Sequence, residues 1–310
     1  MSDIQLFRLS PNEVIELPSR SATLERELQT TIERHMAAVL GVRFLASEFP
    51  TTGRTHRGRI DSLGLDENNC PVIVEYKRHT NENVINQGLF YLDWLLDHRA
   101  EFRWLVMERY GREVADAIEW TGTRLLCIAA DFTRYDQHAI QQMPRNIELL
   151  RYKYFGEDLL LLELVNAHAV PDATNVMGDA EPAKVLVSRQ GSRDKTFAEQ
   201  MAAAPATIIE TYAQLESFVL SLGDDVQKKE LKLYTAYKRL KNFASVVVAP
   251  AKGLLLFLAL NPSTVNLEDG FTRDMTTIGH WGTGDLEVTL ASPADIERAK
   301  PLIERAYSER

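Results

Sequence analysis

Cysteine is scarce in this chain: 310 residues hold two, Cys70 and Cys127. They lie far apart and in no metal-ligand spacing. That argues against a disulfide framework and makes a reducing, cytoplasmic compartment the expectation. Positive charge is also short. Lys and Arg total 35 against 44 Asp and Glu, for a net charge of −9. An acidic balance argues weakly against a nucleic-acid partner, but phosphate binding needs a local basic surface and not a basic protein. Long apolar runs are missing. "LLLLELV" is strand-sized, so no bilayer span and no membrane partner are expected. No basic segment followed by an apolar run opens the chain, so no signal peptide is expected. The seven histidines are scattered without HxxxH spacing, and no CxxC occurs, which argues against zinc. No internal repeat is found.

What is present divides the chain. Residues 166–205 are rich in Ala, Pro, Gly, Ser and Asp with little periodic burial, and read as a linker that is partly disordered. The expected division is a domain over 1–165, the linker, and a smaller α+β domain over 206–310. In the first part, "SATLERELQTTIERHMAAVLG" reads as one amphipathic helix. Ser21 or Thr23 would cap it, Leu24, Leu28, Ile32, His35 and Met36 would share its inner face, and Gly41 would stop it. "VRFLASEF", "RGRIDSLGLD" and "CPVIVEYKR" read as strands, the last two joined as a hairpin through the turn-rich "DENN". A long Asn-capped helix over "NENVINQGLFYLDWLLDHRAEFRWLVMERYG" follows, then the strand "RLLCIAAD", the helix "TRYDQHAIQQM" and the strands "NIELLRYKYF" and "DLLLLELV". This order defines a mixed α/β core with helices on its faces.

One hairpin carries chemistry. In a period-2 strand, Glu75 and Lys77 share a face and Tyr76 takes the other. A Glu and a Lys in an apolar strand are costly to bury unless they are paired or hold a ligand. Asp61 sits where it can face Glu75 across the hairpin. Two close carboxylates repel, and one pKa rises, unless a divalent cation neutralises them. Hard oxygen donors, with the Tyr76 carbonyl added, suit Mg²⁺ or Mn²⁺. The Lys77 ammonium can orient an attacking water, help to deprotonate it, or stabilise charge on a phosphate. Together this is equipment for metal-assisted phosphodiester hydrolysis. A structural ion-pair cluster on an exposed sheet face is the bland reading of the same three residues.

"RID", a short hairpin, then "EYK" resembles the PD-(D/E)xK nuclease superfamily. The element order is similar to that family's core, which implies a restriction-endonuclease-like mixed sheet flanked by helices. Gln87 and Tyr91, in "QGLFY", resemble the Q-x-x-x-Y element of RecB-like nucleases; one helical turn apart, they share a face. Glu25 stands on the first helix, where the family often places a third acidic ligand. "LERELQ" through "RIDSLGLDE" to "VIVEYKR" also resembles NucS-like endonucleases, which act on single-stranded, branched or mismatched DNA. No Pro precedes Asp61; Arg59 and Ile60 occupy that stretch. The resemblance implies a metal-dependent DNA endonuclease. Asp61, Glu75, the Tyr76 carbonyl and Glu25 would be its metal ligands, Lys77 would serve the reaction, and Gln87 and Tyr91 would position the substrate or the Lys. Arg59 and Arg78 flank the site and could grip phosphate, or be solvated. His56 and His79 are loop histidines, more often inert than catalytic. The rival reading is a non-catalytic DNA-binding or protein-interaction module that keeps the fold.

In the C-terminal part, Lys238, Arg239 and Lys241 crowd a stretch with Tyr234, Tyr237 and Phe243. This suits phosphate contacts with base stacking, or else a solvated helix face followed by core aromatics. "FASVVVAP", "GLLLFLAL" and "GDLEVTLAS" read as strands. The final helix would be capped by Ser292 with Pro293 in its first turn. "YKRLKNFASVV" and "GHWGTGDLEV" resemble a small uncharacterised domain family often fused to nuclease or DNA-associated domains. His280 and Asp285 in the glycine-bracketed loop read as a turn in preference to a second site. A homodimer is left open.

Overall fold

The computed structural model describes residues 4–51, 57–78, 84–168, 195–278 and 282–310. It divides into two units, Met1–Val170 and Pro171–Arg310.

The first unit opens with an antiparallel pair, β1 (Leu6–Ser10) and β2 (Glu13–Leu17), that joins no other strand. The sequence reading did not assign it. There follow β3 (Ser19–Arg20), α1 (Glu25–Arg34), α2 (Met36–Leu40), β4 (Val42–Thr51), β5 (Gly58–Asp66) and β6 (Pro71–Lys77). Then come α3 (Val84–Asp97), α4 (Arg99–Tyr110), α5 (Arg112–Asp116), β7 (Arg124–Ala129), α6 (Arg134–Ile140), β8 (Asn146–Phe155) and β9 (Leu159–His168). The main sheet has seven strands in the order β3-β8-β7-β6-β5-β4, with β9 also on β8. β4, β5 and β6 pair antiparallel, while β6, β7 and β8 run parallel. It is a mixed α/β sheet flanked by helices, as the order of elements implied.

The register explains which side chains go where. In β6, Ile73 joins Leu63, Leu65, Leu125 and Cys127 under Ile85, Leu92 and Leu95 of α3. Each such aliphatic side chain, fully buried, contributes about 1.5–3 kcal/mol. Val72, Val74 and Tyr76 alternate to the opposite face and are equally buried. There Ser62 links Tyr76 to Glu33 of α1.

Two helix expectations need correction. The first helix is not continuous: α1 and α2 meet at His35, whose backbone leaves the helical region. Its N-cap is Leu24, without a side-chain cap, so Ser21 and Thr23 do not fill that role. Leu28, Ile32 and Met36 face inward, but Leu24 and His35 are exposed. Gly41 does stop α2, in the left-handed conformation at φ 64°, where a side chain is strained. The long helix also breaks, at His98 between α3 and α4. The imidazole stacks on Trp94 and its Nδ1 lies 2.8 Å from the Trp94 carbonyl. The break lets each piece turn its own apolar face to the sheet. The Asn cap expected at the start of α3 lies outside the described residues.

The second unit contains α7 (Phe197–Ala202), α8 (Ala206–Leu220), β10 (Gln227–Glu230), β11 (Thr235–Lys238), β12 (Asn242–Ala249), β13 (Gly253–Leu258), β14 (Thr272–Asp274), β15 (Leu286–Leu290) and α9 (Pro293–Glu309). Its six-stranded sheet, β10-β11-β12-β13-β15-β14, is antiparallel throughout. Leu215 and Val219 of α8 and Ile296 and Ile303 of α9 share a core with Val246, Leu256 and Val288. Ser292 caps α9 in a reciprocal box with Asp295, and Pro293 opens it. The segment around Lys238 is a β-hairpin and not a helix. The stretch expected to be linker also has structure at both ends. β9 runs to His168, and α7 is capped by Thr196 and buries Phe197.

Candidate metal centre and nucleic-acid interface

Asp61 and Glu75 meet where the β5–β6 ladder ends. The last paired residues are Ser62 and Val74. Beyond them, side chains replace backbone partners. The Asp61 N–H donates to Glu75 Oε1 at 3.2 Å, and the Tyr76 N–H donates to Asp61 Oδ2 at 3.0 Å. A strand residue points its N–H and C=O to the same edge. The Tyr76 carbonyl is therefore turned toward Asp61, past the end of the ladder.

Glu75 is 0% exposed, and its Oε2 has no hydrogen-bond partner among the described residues. Leaving a buried polar atom unpartnered costs about 1–3 kcal/mol. Burial first, and the neighbouring Asp61 second, push the Glu75 carboxyl up to about 9. Burial lifts Asp61 to about 6, partly offset by the Tyr76 N–H and by Lys77. In the metal-free protein near neutral pH, the pair therefore carries at least one proton that a cation would displace.

Lys77 comes from the same strand. Burial works to lower its pKa, but the Glu25 carboxylate overrides that and raises it. Lys77 Nζ donates to Glu25 Oε1 at 3.0 Å, and the Arg78 N–H donates to Glu25 Oε2 at 3.1 Å. Both oxygens of Glu25 are thus engaged by Lys77 and Arg78, not by the Asp61–Glu75 pair. Among the described residues no group of three or more His, Cys, Asp or Glu gathers around a point. In this structure Glu25 clamps Lys77.

Tyr91 is buried, and its hydroxyl accepts the Arg59 N–H at 3.2 Å. A Cβ on Gly58 would stand 2.5 Å from that hydroxyl, so glycine is required for the approach. Tyr91 therefore fixes the start of β5, two residues before Asp61. Gln87 is half-buried one turn earlier on α3. Arg59 and Arg78 are exposed beside the pair, with Arg59 Nη1 at 3.8 Å from Glu48. His56 and His79 lie outside the described residues.

The sequence reading missed a polar layer beneath the site. Gln29 Nε2 donates to the Asp61 carbonyl at 2.8 Å and to Glu33 Oε1 at 3.1 Å. Glu33 also accepts from Ser62 Oγ at 2.6 Å. Glu25, Gln29 and Glu33 are spaced four apart, so they line one face of α1; that spacing was the available signal.

The basic cluster of the second unit takes a different form from the one expected. Lys238 is 3% exposed. Arg239 Nε donates to Asp225 at 2.6 Å, and its guanidinium lies over the Tyr307 ring at 4.7 Å. Tyr307 donates to the same Asp225 at 2.9 Å. Lys241 is half-buried. The strands replace the solvated helix face of the alternative reading, and they leave Lys238 buried and Arg239 paired with Asp225. Asp285 is exposed; His280 and Trp281 lie outside the described residues. Among the described residues no helix is long and apolar enough to cross a membrane.

Residues 197–309 match the family described as "Domain of unknown function (DUF5655)". A protein of Haemophilus influenzae, described only as uncharacterized, is 25% identical over 313 residues, covering 99% of this chain and 100% of that one. Among solved structures, a repair endonuclease from Pyrococcus abyssi is similar over 43% of this chain and 48% of its own, with 19% identity and a TM-score of 0.28. A chain of an EndoMS-dsDNA2 complex is similar over 48% of this chain and 64% of its own, with 15% identity and a TM-score of 0.24. The chain thus spans about half the length of the Pyrococcus protein.

Proposed function

We propose that the first unit is a divalent-metal-dependent DNA endonuclease. The observation that carries this reading is the Glu75 carboxylate, fully buried, with Oε2 unpartnered and Asp61 beside it. Asp61, Glu75 and the Tyr76 carbonyl are hard oxygen donors and would hold Mg²⁺ or Mn²⁺. Two carboxylates, with waters and substrate phosphate completing the shell, is the usual way such ions are bound. When bound, the ion supplies a lowered pKa for its water and charge neutralisation on the phosphate.

The remaining roles belong to the chain. Glu25 holds Lys77 cationic and fixes where its ammonium stands. From there Lys77 donates hydrogen bonds to a non-bridging phosphate oxygen or to the attacking water, stabilising the charge that builds as the phosphodiester opens. Tyr91 and Gln29 hold β5 from both sides, through the Arg59 N–H and the Asp61 carbonyl. They keep the Asp61 carboxylate in register with Glu75. Gln87, on the helix face of Tyr91, is placed to orient the substrate. A protein that binds DNA without cutting it has no need of two carboxylates where phosphates approach, and this weighs against the non-catalytic alternative. The test is nicking of supercoiled plasmid with Mn²⁺, Mg²⁺ or chelator, paired with calorimetric titration of Mn²⁺. Metal-dependent nicking is expected. No nicking by protein that binds Mn²⁺ at one site would leave a metal-binding module and remove the enzyme.

A further inference from the structure

Several arginines in this acidic chain are held by carboxylates, as Arg124 is by Glu148, Arg151 by Asp131 and Arg239 by Asp225. Two exposed arginines are of interest: Arg78, directly after Lys77, and Arg20 on β3, three strands from β6 in the sheet. Among the described residues, no carboxylate pairs with the side chain of Arg20 or of Arg78. Arg20 lies on β3, directly across from Tyr154 of β8. Its guanidinium sits over the Tyr154 ring, 4.9 Å from the centroid. That stack holds the planar fork in place while leaving its N–H groups to the outside.

A second observation comes from the ring beneath. Tyr154 is 8% exposed, and its hydroxyl is buried with no hydrogen-bond partner among the described residues. A buried hydroxyl without a partner calls for an explanation. This donor, beneath a cation with no carboxylate, is explained by a ligand rich in acceptors.

A third observation fixes the neighbourhood. The Tyr152 hydroxyl donates to the Arg78 carbonyl at 3.3 Å and accepts the Ala22 N–H at 3.2 Å. One phenol thus pins the segment that carries Arg20 against the residue that follows Lys77. Tyr152 is 0% exposed, so the pin is rigid.

We propose that Arg20, the Tyr154 hydroxyl and Arg78 line a phosphate path for the nucleic-acid backbone, on the β3–β8 side of the phosphate that meets Lys77. The path rests on the nuclease reading and extends it: it says along which edge of the sheet the bound strand leaves the metal centre, past β6 and over the β3–β8 end. Arginine is suited to this because its fork binds a phosphate through two hydrogen bonds.

The experiment measures affinity for a labelled oligonucleotide against salt, in an Asp61→Asn background that does not cut. Arg20→Ala is expected to weaken binding by about 10- to 100-fold, the effect of losing a charged hydrogen-bond partner. It should also flatten the slope of log affinity against log salt by about 0.7–0.9. Tyr154→Phe should weaken binding by several-fold and leave the slope unchanged, since no charge is lost. Arg20→Gln, which stays polar, guards against misfolding and should reproduce the change in slope. Arg145→Ala, at the opposite end of β8, should change neither quantity. Inorganic phosphate should compete with the oligonucleotide more weakly in the Arg20 variants than in the parent. Unchanged affinity and slope in Arg20→Ala overturns the path, and so does an equal loss in Arg145→Ala. The nuclease reading fails separately, if the wild-type protein does not nick DNA with Mn²⁺.

Discussion

Metal-free protein should lose stability as pH rises, and Glu75 should be the main cause. The folded protein holds the Glu75 carboxyl at about 9 and Asp61 at about 6, against 4.5 and 3.8 in an ordinary setting. Both folded values are raised, so the folded state binds more protons than the unfolded chain between the ordinary and the shifted value. Stability from this source is complete below about pH 4, and falls as pH rises through the folded values. Above about pH 6, Asp61 is mostly ionised and one excess proton remains, on Glu75. One proton gives a slope of about 1.4 kcal/mol per pH unit. From pH 6 to 9 the loss is on the order of 4 kcal/mol, which lowers the melting temperature by on the order of 10 °C for a unit of this size. The assay is scanning calorimetry in chelator at several pH values, comparing wild type with Glu75→Gln. Groups that titrate elsewhere cancel in the difference. Glu75→Gln should remove most of the slope, and saturating Mn²⁺ should remove it from the wild type, because the cation replaces the proton. An equal slope in wild type and variant would show that Glu75 is ionised without metal. The reading of the pair as a cation site would then lose its electrostatic basis.

Asp61→Asn should abolish nicking and weaken Mn²⁺ binding while leaving the fold intact; wild-type nicking by the purified variant removes Asp61 from the metal centre. Lys77→Ala should cut the nicking rate roughly a hundredfold to a thousandfold at saturating metal and keep Mn²⁺ binding; if Mn²⁺ binding disappears as well, Lys77 is a structural partner of the carboxylates. Arg239→Ala should cost about 1–2 kcal/mol of stability in the second unit, through the lost Asp225 pair and Tyr307 stack, with DNA affinity unchanged. A loss of DNA affinity without a change in melting would return that cluster to the nucleic-acid surface.

The sequence was most legible where side-chain period alone decides position. The alternation in "VIVEYK" placed Glu75 and Lys77 on one face and Tyr76 on the other, and the short hairpin brought Asp61 opposite. Glu25 shows where that kind of reading stops. Its place on the first helix was recognisable, but whether it turns to the carboxylates or to Lys77 depends on how α1 lies across β6. Only tertiary packing sets that. The basic stretch "YKRLKN" misled for a related reason. Lys238 and Arg239 are adjacent, yet strand geometry buries one and sends the other to Asp225, 14 residues back. His35 and His98 were both read as interior helix positions. Each is a break, imposed because the two halves of the helix serve different parts of the core. The Arg20–Tyr154 stack leaves no local trace, because β3 is two residues long and its partner lies at the far end of the unit.

The same sheet supplies its own comparison for the metal centre. A second buried charged cluster sits at the other end of the parallel strands, where Arg124 opens β7. Its Nη1 lies 2.8 Å from Glu148 Oε1 and 2.9 Å from Oε2, and its Nε is 3.3 Å from Asp66 Oδ2. Asp66 in turn accepts the Asn68 and Cys70 N–H groups at 2.8 and 2.9 Å, closing the β5–β6 turn. Those carboxylates are answered by a guanidinium and by backbone donors, although Arg124 Nε approaches Asp66 as an ion pair without making a hydrogen bond; the cluster's work is to hold the strands in register. Asp61 and Glu75 are the same kind of group at the opposite end of β5 and β6. The nearest cation, Lys77, is drawn off by Glu25, and Glu75 Oε2 stays unanswered. Burial alone therefore does not separate structure from function in this protein. Carboxyl ends of parallel strands are where ligands bind in α/β sheets, and at that end Glu75 Oε2 makes no hydrogen bond among the described residues, while both oxygens of Glu148 accept from Arg124.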